Sequence, residues 1–283
     1  LFFEVIRLRM VEISKKYRIG VKRFGSGSVN WIGAVTLWMK ITQQMLNVFI
    51  QTILSPICGS IILLLILSVA IGNDRLDMLG VPFIVFLAPG LLAMIILGSS
   101  FASSSSFLII NKVSGTIVDL LYSPISPGEA TTAIILAAVT RGFLVAIVSL
   151  PIFYFLADIE IRNYYALIFY TFISSFILGA AGMIVGIIMS KFEGIAAVNG
   201  FLIVPLTMIS GTFYTIDKLP EFLQLASKCN PFFFMISGFR YSFLEIEEFD
   251  GSIFVGVIYL TILAVGLWLG AYLLYKKGYK IKS

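Results

Sequence analysis

Residues of the types that enzymes use for catalysis are scarce in this sequence. The chain has no histidine, so the commonest general base and metal ligand is missing. Its two cysteines, Cys58 in an apolar run and Cys229 in a polar stretch, match neither a zinc motif nor a disulfide framework, and we expect free thiols. No G-x-x-x-x-G-K-[ST] phosphate loop occurs. We therefore predict no catalytic residue, no metal site and no cofactor bound by this chain.

The composition indicates that the surroundings of the chain are a lipid bilayer. Of the 283 residues, 59% are hydrophobic and only 12% are charged, and the mean hydropathy is +1.01. A soluble domain carries about 25% charged residues, so this chain has too few to cover a water-facing surface. The net charge of +5 is concentrated near the two chain ends. This distribution indicates membrane topology rather than binding to nucleic acid.

Six apolar runs predict an all-α integral membrane protein with six transmembrane helices. Each run is close to or beyond the ~20 residues that a helix needs to cross the hydrocarbon core. The runs are Phe49–Ile71, Val81–Phe101 with a continuation to Ile110 left open, Ala130–Leu156, Tyr164–Met189, Ile195–Phe213 and Ile253–Tyr275.

Two further stretches are apolar but do not suit a full span. Trp31–Asn47 mixes bulky apolar residues and tryptophans with Lys40, which is typical of a helix in the membrane interface, although it could also be the polar first turn of the next helix. Pro231–Leu244 has only 14 residues and contains Arg240. That length is too short for a span and fits a re-entrant or interfacial helix.

The basic residues predict that both chain ends are cytoplasmic. The segment up to Asn47 carries eight Lys and Arg residues and the tail after Tyr275 carries four, whereas the opposite side of a six-span arrangement carries five in total. The positive-inside rule places the more basic side in the cytoplasm. We divide the chain into a basic cytoplasmic segment, residues 1–29, and one six-span membrane domain, residues 30–283.

The cytoplasmic loop Asn111–Glu129 contains a potential short helix. Thr116–Tyr122 can form two turns with Ile117, Leu120 and Leu121 as an apolar face, and Pro124 and Pro127 are expected to end it. A soluble partner could bind such a helix, or the stretch could be an ordinary loop cap. The spacing alone leaves both interpretations open.

One basic residue lies well inside a predicted span. Arg141 is residue 12 of a 27-residue apolar run, and a charge at that depth usually faces a protein interior or a water-filled path. It could form an internal ion pair or gate, extend its side chain to the lipid head groups, or contact a substrate. The aromatic residues near the outer boundary, Phe213 and Tyr214 among them, suit either an interfacial belt or a gate.

Closely spaced small residues occur in several spans. Ser175–Gly179, Gly182–Gly186 and Gly266–Gly270 show the small-x-x-x-small spacing that allows helices to approach closely. We expect packing within one subunit, with a subunit interface as the alternative.

The order and spacing of several short motifs resemble the ABC-2-type permeases, the membrane subunits of ABC exporters, including the nodulation-type lipo-oligosaccharide exporters. The resemblance covers about Asn30 to the C-terminus, with one departure at Thr215, where many relatives have proline. The motifs are Ala88-Pro-Gly-Leu91, Leu120-Leu-Tyr-Ser-Pro124, Thr140-Arg-Gly142, Pro205-Leu-Thr, Ser210-Gly-Thr-Phe-Tyr214, Lys218-Leu-Pro220, Asn230-Pro231 and Ser237-Gly-Phe-Arg-Tyr241.

The resemblance implies a permease that exports a lipid-linked, saccharide or hydrophobic substrate across the bacterial cytoplasmic (inner) membrane. It implies a second permease copy, giving a homodimer, two copies of a separate ABC ATPase that holds ATP and Mg, and contact with membrane lipids. The residues that would contact the ATPase through a coupling helix are Thr116, Asp119, Leu120, Leu121, Ser123 and Pro124. Those that would line a gate or pathway are Arg141, Phe213, Tyr214 and Arg240. The resemblance also implies short outer re-entrant helices over Leu219–Leu244, which would shape the exit.

The main alternative is a secondary transporter without an ATPase partner. Such proteins usually hold coupling ions with acidic residues inside the membrane or with broken helices. No acidic residue lies well inside a predicted span of this sequence. The sequence identifies neither the cargo nor, beyond the resemblance, the composition of the dimer.

Overall fold

A computed structural model describes residues 29–71, 80–215, 220–244 and 253–278 of the chain. Within these ranges the regular secondary structure is helical and no β-strand is present, which confirms the all-α prediction. The predicted basic N-terminal segment, apart from Val29, lies outside the described residues.

Six helices of the described ranges are long and apolar enough to cross a membrane, as the sequence predicts. We number them as the first to sixth spans in chain order. They are Ile50–Ala70, Phe83–Val113, Pro127–Ala157, Tyr164–Ile188, Phe192–Ile209 and Ile253–Lys277.

The fifth span begins three residues and ends four residues earlier than the predicted Ile195–Phe213, and two other boundaries differ from the prediction for identifiable reasons. The second span continues to Val113, because the serines at 103–105 are buried in the bundle instead of ending the helix. The third span begins at Pro127, which was expected to end the preceding short helix. Ser126 and Glu129 form a reciprocal capping box, and proline suits a first helical position because no partner for its missing N–H is needed there.

The second, third and fourth spans form the centre of the bundle and are mostly buried. Glycines allow these helices to approach closely. A Cβ on Gly142 would overlap Ser175 of the fourth span, and a Cβ on Gly182 would lie 2.3 Å from the Phe101 carbonyl oxygen of the second. Ser104 also donates a hydrogen bond to the Gly179 carbonyl at 2.6 Å. Packing within the subunit therefore explains the small residues of the fourth span.

The first, fifth and sixth spans lie at the periphery, and most of their surface is exposed. The first and fifth each contain a π-helical turn, Ile50–Leu54 and Asn199–Ile203. A proline, Pro56 or Pro205, follows two residues after each turn. Proline lacks an N–H and its ring crowds the carbonyl four residues earlier, so a locally wider helix relieves the conflict.

The N-terminal helix Trp31–Asn47 packs against the third span. Its buried residues Leu37, Ile41 and Met45 recur every four positions and form one face. The Trp38 indole N–H donates to the Thr140 hydroxyl at 2.9 Å. The helix ends at Asn47, before the first span begins, so Trp31–Asn47 is a separate helix and not the first turn of the next span.

At the opposite end of the bundle lie two short helices, Glu221–Cys229 and Pro231–Leu244, where the sequence predicts re-entrant segments. Asn230 donates to the Leu206 carbonyl at 2.8 Å and to the Ser210 hydroxyl at 2.7 Å, which attaches this pair to the end of the fifth span. The backbone N–H groups of Arg162 and Asn163 both donate to the Ser242 carbonyl.

Candidate functional site

The loop between the second and third spans holds a short helix, Ile117–Tyr122, at one end of the bundle. We call it the loop helix. Thr116 is its N-cap residue and Ser123 its C-cap residue, so the helix lies where the sequence predicts it.

The loop helix presents one face to the bundle and another away from it. Ile117 is buried, and Leu120 and Leu121 are partly buried against the same apolar cluster. The exposed side chains are Val118 (49% exposed) and Tyr122 (86% exposed), with Asp119 and Pro124 beside them. Val118 and Tyr122 were not among the residues predicted to contact a partner, although their i, i+4 spacing places them on one helical face.

Polar contacts hold the loop helix in a fixed position relative to the spans. The Thr116 hydroxyl donates to the Asn111 side-chain oxygen at 2.8 Å, and the Ser123 hydroxyl donates to the Leu120 carbonyl at 2.6 Å. Gly115 has a φ of +75°, which glycine adopts without strain, and makes the turn into the helix. Two of the predicted contact residues, Thr116 and Ser123, therefore fix the shape of the loop.

Glu129 joins this loop to the N-terminal helix. One carboxylate oxygen accepts from the backbone N–H of Asn30 at 2.6 Å, and the other accepts from that of Ser126 at 2.8 Å. The Asn30 side-chain amide in turn donates to the Pro124 carbonyl at 3.1 Å. Three elements therefore meet at one carboxylate: the N-terminal helix, the loop and the start of the third span.

Arg141 lies in the third span with only 9% of its surface exposed. Its Nη2 donates to the Thr52 carbonyl oxygen of the first span at 2.9 Å, whereas Nε has no hydrogen-bond partner. No acidic side chain in the described ranges forms an ion pair with it. The guanidinium borders a cavity of about 600 Å³ between the first, second and fifth spans.

Arg240 occupies a different position, inside the helix pair at the opposite end. It is 3% exposed, it donates to the carbonyl oxygens of Gly211 and Thr212, and its guanidinium lies 3.9 Å from the centroid of the Phe86 ring. These contacts connect the short helix Pro231–Leu244 to the chain segment that follows the fifth span and to the start of the second span. Arg240 therefore stabilises this end of the bundle.

Phe213 and Tyr214 are both partly buried just beyond the fifth span. Phe213 packs against the main apolar cluster, and the Tyr214 hydroxyl donates to the Met208 carbonyl at 3.0 Å. Burial raises the pKa of the Tyr214 phenol above its ordinary value. The structure does not bring these two aromatics together with Arg141.

Chemistry-bearing groups are few in the part of the chain that the structure describes. Cys58 and Cys229 are both exposed free thiols, as the sequence predicts. No cluster of three or more potential metal ligands occurs among the described residues.

Comparison with known proteins gives a consistent result. The sequence model of the ABC-2 type transporter family matches residues 34–244. The chain is 27% identical over 253 residues to the inner membrane transport permease YadH of Escherichia coli K12, and the alignment covers 89% of this chain and 98% of that protein. The protein of the same name from Shigella flexneri is equally similar.

Proposed function

Because the chain belongs to the ABC-2 type transporter family, we propose that it is the membrane-spanning permease subunit of an ATP-driven exporter. The observation that carries the proposal is the loop helix, an exposed two-turn element fixed by hydrogen bonds at one end of a six-span bundle. The chain contains no phosphate loop, so ATP hydrolysis, with its Mg, would belong to a separate ABC ATPase.

In this proposal the loop helix is the coupling element, and its exposed face sits against the ATPase. Val118 and Tyr122 supply apolar contact area, with Asp119 and Pro124 at its edge. Leu120 and Leu121 act from the other side and anchor the helix to the bundle. Movement of the ATPase would then reach the third span and the N-terminal helix through Glu129. This residue lies in the first turn of the third span, and its carboxylate accepts from the Asn30 N–H at the start of the N-terminal helix.

The assembly would contain two permease copies, as a homodimer, and two ATPase copies in the bacterial inner membrane. The exposed surfaces of the peripheral spans leave room for a second copy and for lipids. The positive-inside rule supports cytoplasmic chain ends, which places the loop helix beside the ATPase in the cytoplasm. The cargo would be a lipid-linked, saccharide or hydrophobic molecule that moves outward.

The first experiment is purification of the tagged full chain in mild detergent from cells that express the neighbouring genes, followed by identification of the proteins that accompany it. We expect a phosphate-loop ATPase in stoichiometric amount. The exporter assignment would be refuted if the chain purified alone and if no neighbouring gene product gave ATPase activity when added to it. Those results would favour a secondary transporter.

The matched variants Tyr122→Ala and Tyr165→Ala test the role of the loop helix. The two tyrosines are 86% and 89% exposed, but Tyr165 is the second residue of the fourth span, at the opposite end of the bundle. Truncation of an aromatic hot-spot residue costs about 2 kcal/mol or more, so Tyr122→Ala should weaken ATPase binding about 30-fold if Tyr122 is central to the contact. Retention of the ATPase should be unchanged for Tyr165→Ala. Equal retention by both variants would exclude the exposed face of the loop helix as the docking surface.

A further inference from the structure

The cavity beside Arg141 combines an apolar wall with a single cation. It has a volume of about 600 Å³, within the usual range for ligand pockets, and lies between the first, second and fifth spans. Leu63, Ile95 and Ile195 contribute to the apolar wall, and Arg141 is the one charged side chain among the described residues that line it. We call this cavity the Arg141 groove.

One hydrogen bond of Arg141 has a local structural cause. The Thr52 carbonyl would normally accept from the N–H four residues later, but that residue is Pro56, which has none. Arg141 Nη2 donates to this oxygen at 2.9 Å. A neutral N–H donor could also satisfy the Thr52 carbonyl oxygen. This hydrogen bond therefore does not account for the positive charge of Arg141.

The groove contains donors that the protein does not use. A guanidinium carries five N–H groups, and the Nε of Arg141 is buried without a hydrogen-bond partner. The hydroxyl of Ser99, which also lines the groove, is likewise buried and unpaired. A buried cation without a counter-ion is unfavourable in an apolar site, so the groove is complementary to an anion.

We propose that the Arg141 groove binds the phosphate group of an anionic amphiphile. Arg141 Nε and the Ser99 hydroxyl are enclosed in this structure, so both side chains would rotate toward the groove to donate to the phosphate oxygens. The apolar wall would hold the adjoining hydrocarbon. The proposal rests on the proposed function where it makes the amphiphile the cargo. A resident membrane phospholipid offers the same chemistry, and the experiment separates the two sources.

The test measures binding of a fluorescent phosphatidylglycerol to the purified full chain, with phosphatidylcholine as the zwitterionic comparison. We expect tighter binding of phosphatidylglycerol, about tenfold weaker binding for Arg141→Gln, and near wild-type binding for Arg141→Lys, since loss of one charge-assisted hydrogen bond is worth about this factor. Lys228→Gln, which removes an exposed charge at the opposite end, should leave binding unchanged. Equal binding by wild type and Arg141→Gln would refute the proposal.

A second pair of variants keeps the test decisive if Arg141→Gln does not fold. Gly98 lines the groove, and a Cβ there would meet no atom within 4 Å. Gly98→Leu should therefore fill the groove without touching the packed centre of the bundle. Gly266 of the sixth span is equally open but lies elsewhere, so Gly266→Leu is the matched control. Unchanged phosphatidylglycerol binding by Gly98→Leu would also refute the proposal.

Two additions identify the nature of the ligand. Displacement of phosphatidylglycerol by an equal concentration of inorganic phosphate would show that the groove recognises a bare anion, and this would overturn the amphiphile proposal. Release of the bound lipid when ATP is added to the complex with its ATPase would support a cargo, whereas retention would support a resident lipid; both place an anionic amphiphile in the groove. If the chain proves to have no ATPase partner but still binds phosphatidylglycerol in an Arg141-dependent way, the binding site in the Arg141 groove is supported and the exporter function is contradicted.

Discussion

The contact between the second and fourth spans leads to a sharp prediction about the variant Gly182→Ala. Gly182 lies where the two helices come closest, and a Cβ there would lie 2.3 Å from the Phe101 carbonyl oxygen and 2.5 Å from the Ser104 hydroxyl. The first of these neighbours is backbone, which no rotamer change can move. Ordinary contact begins at 3.4 Å, so the spans must separate by about 1 Å to accept the methyl group.

The expected cost follows from two opposing terms. Overpacking of a close-packed interior costs about 1–3 kcal/mol, whereas replacing a helical glycine by alanine returns up to about 1 kcal/mol. Because the obstructing atom is a backbone oxygen at 2.3 Å, overpacking here falls at the upper end of its range, about 2–3 kcal/mol. The net loss of about 1–2 kcal/mol should lower the apparent Tm by roughly 2–8 °C. In the control Gly266→Ala the methyl group meets no atom within 4 Å, so only the helix term acts and Tm should stay equal or rise.

The assay is thermal unfolding of both variants in the same mild detergent, followed by size-exclusion chromatography. Gly182→Ala should unfold at a lower temperature than wild type and Gly266→Ala should not. If the two variants unfold together, the second and fourth spans are not as closely packed as the structure places them.

Two further predictions concern topology and the outer end. With the other cysteine replaced, exposed Cys229 should react with a membrane-impermeant maleimide in intact cells, whereas Lys191→Cys in a cysteine-free background should react only after permeabilisation; the opposite pattern would invert the topology. Arg240→Met should lower Tm more than Lys228→Met, because Arg240 is 3% exposed and binds two backbone carbonyls, whereas Lys228 is exposed. Equal shifts in the two variants would contradict the stabilising role of Arg240.

Much of the fold could be predicted from the sequence because apolar run length determines which segments can cross a bilayer. The six spans, the N-terminal helix and the loop helix all follow from that pattern and from local caps. The second span extends further than hydropathy indicates, since the hydroxyls of Ser104 and Ser105 bond to backbone carbonyls inside the bundle. The sequence left the continuation to Ile110 open, and the structure extends the helix three residues beyond that point, to Val113.

Details that depend on tertiary contacts could not be predicted. The sequence locates Arg141 within a span but not its acceptor, the Thr52 carbonyl, which lies 89 residues earlier in the chain. Likewise, the apolar residues of the loop helix form two groups, and only packing decides that Leu120 and Leu121 face the bundle while Tyr122 is exposed. Pro56 and Pro205 could have marked the π-turns, because proline in a helix interior requires some local adjustment.

Because the spans differ in length, the thickness of the membrane affects them unequally. The second span has 31 residues and is about 46 Å long, well beyond the ~30 Å hydrocarbon core, so it tolerates thicker and thinner bilayers alike. The fifth span has 18 residues and reaches only about 27 Å. In a bilayer with longer acyl chains, the lipid must therefore thin locally around the fifth span, or the fifth span must straighten, before the longer spans are affected. Since that helix forms one wall of the Arg141 groove, the acyl chain length of the host lipids would alter the width of the groove.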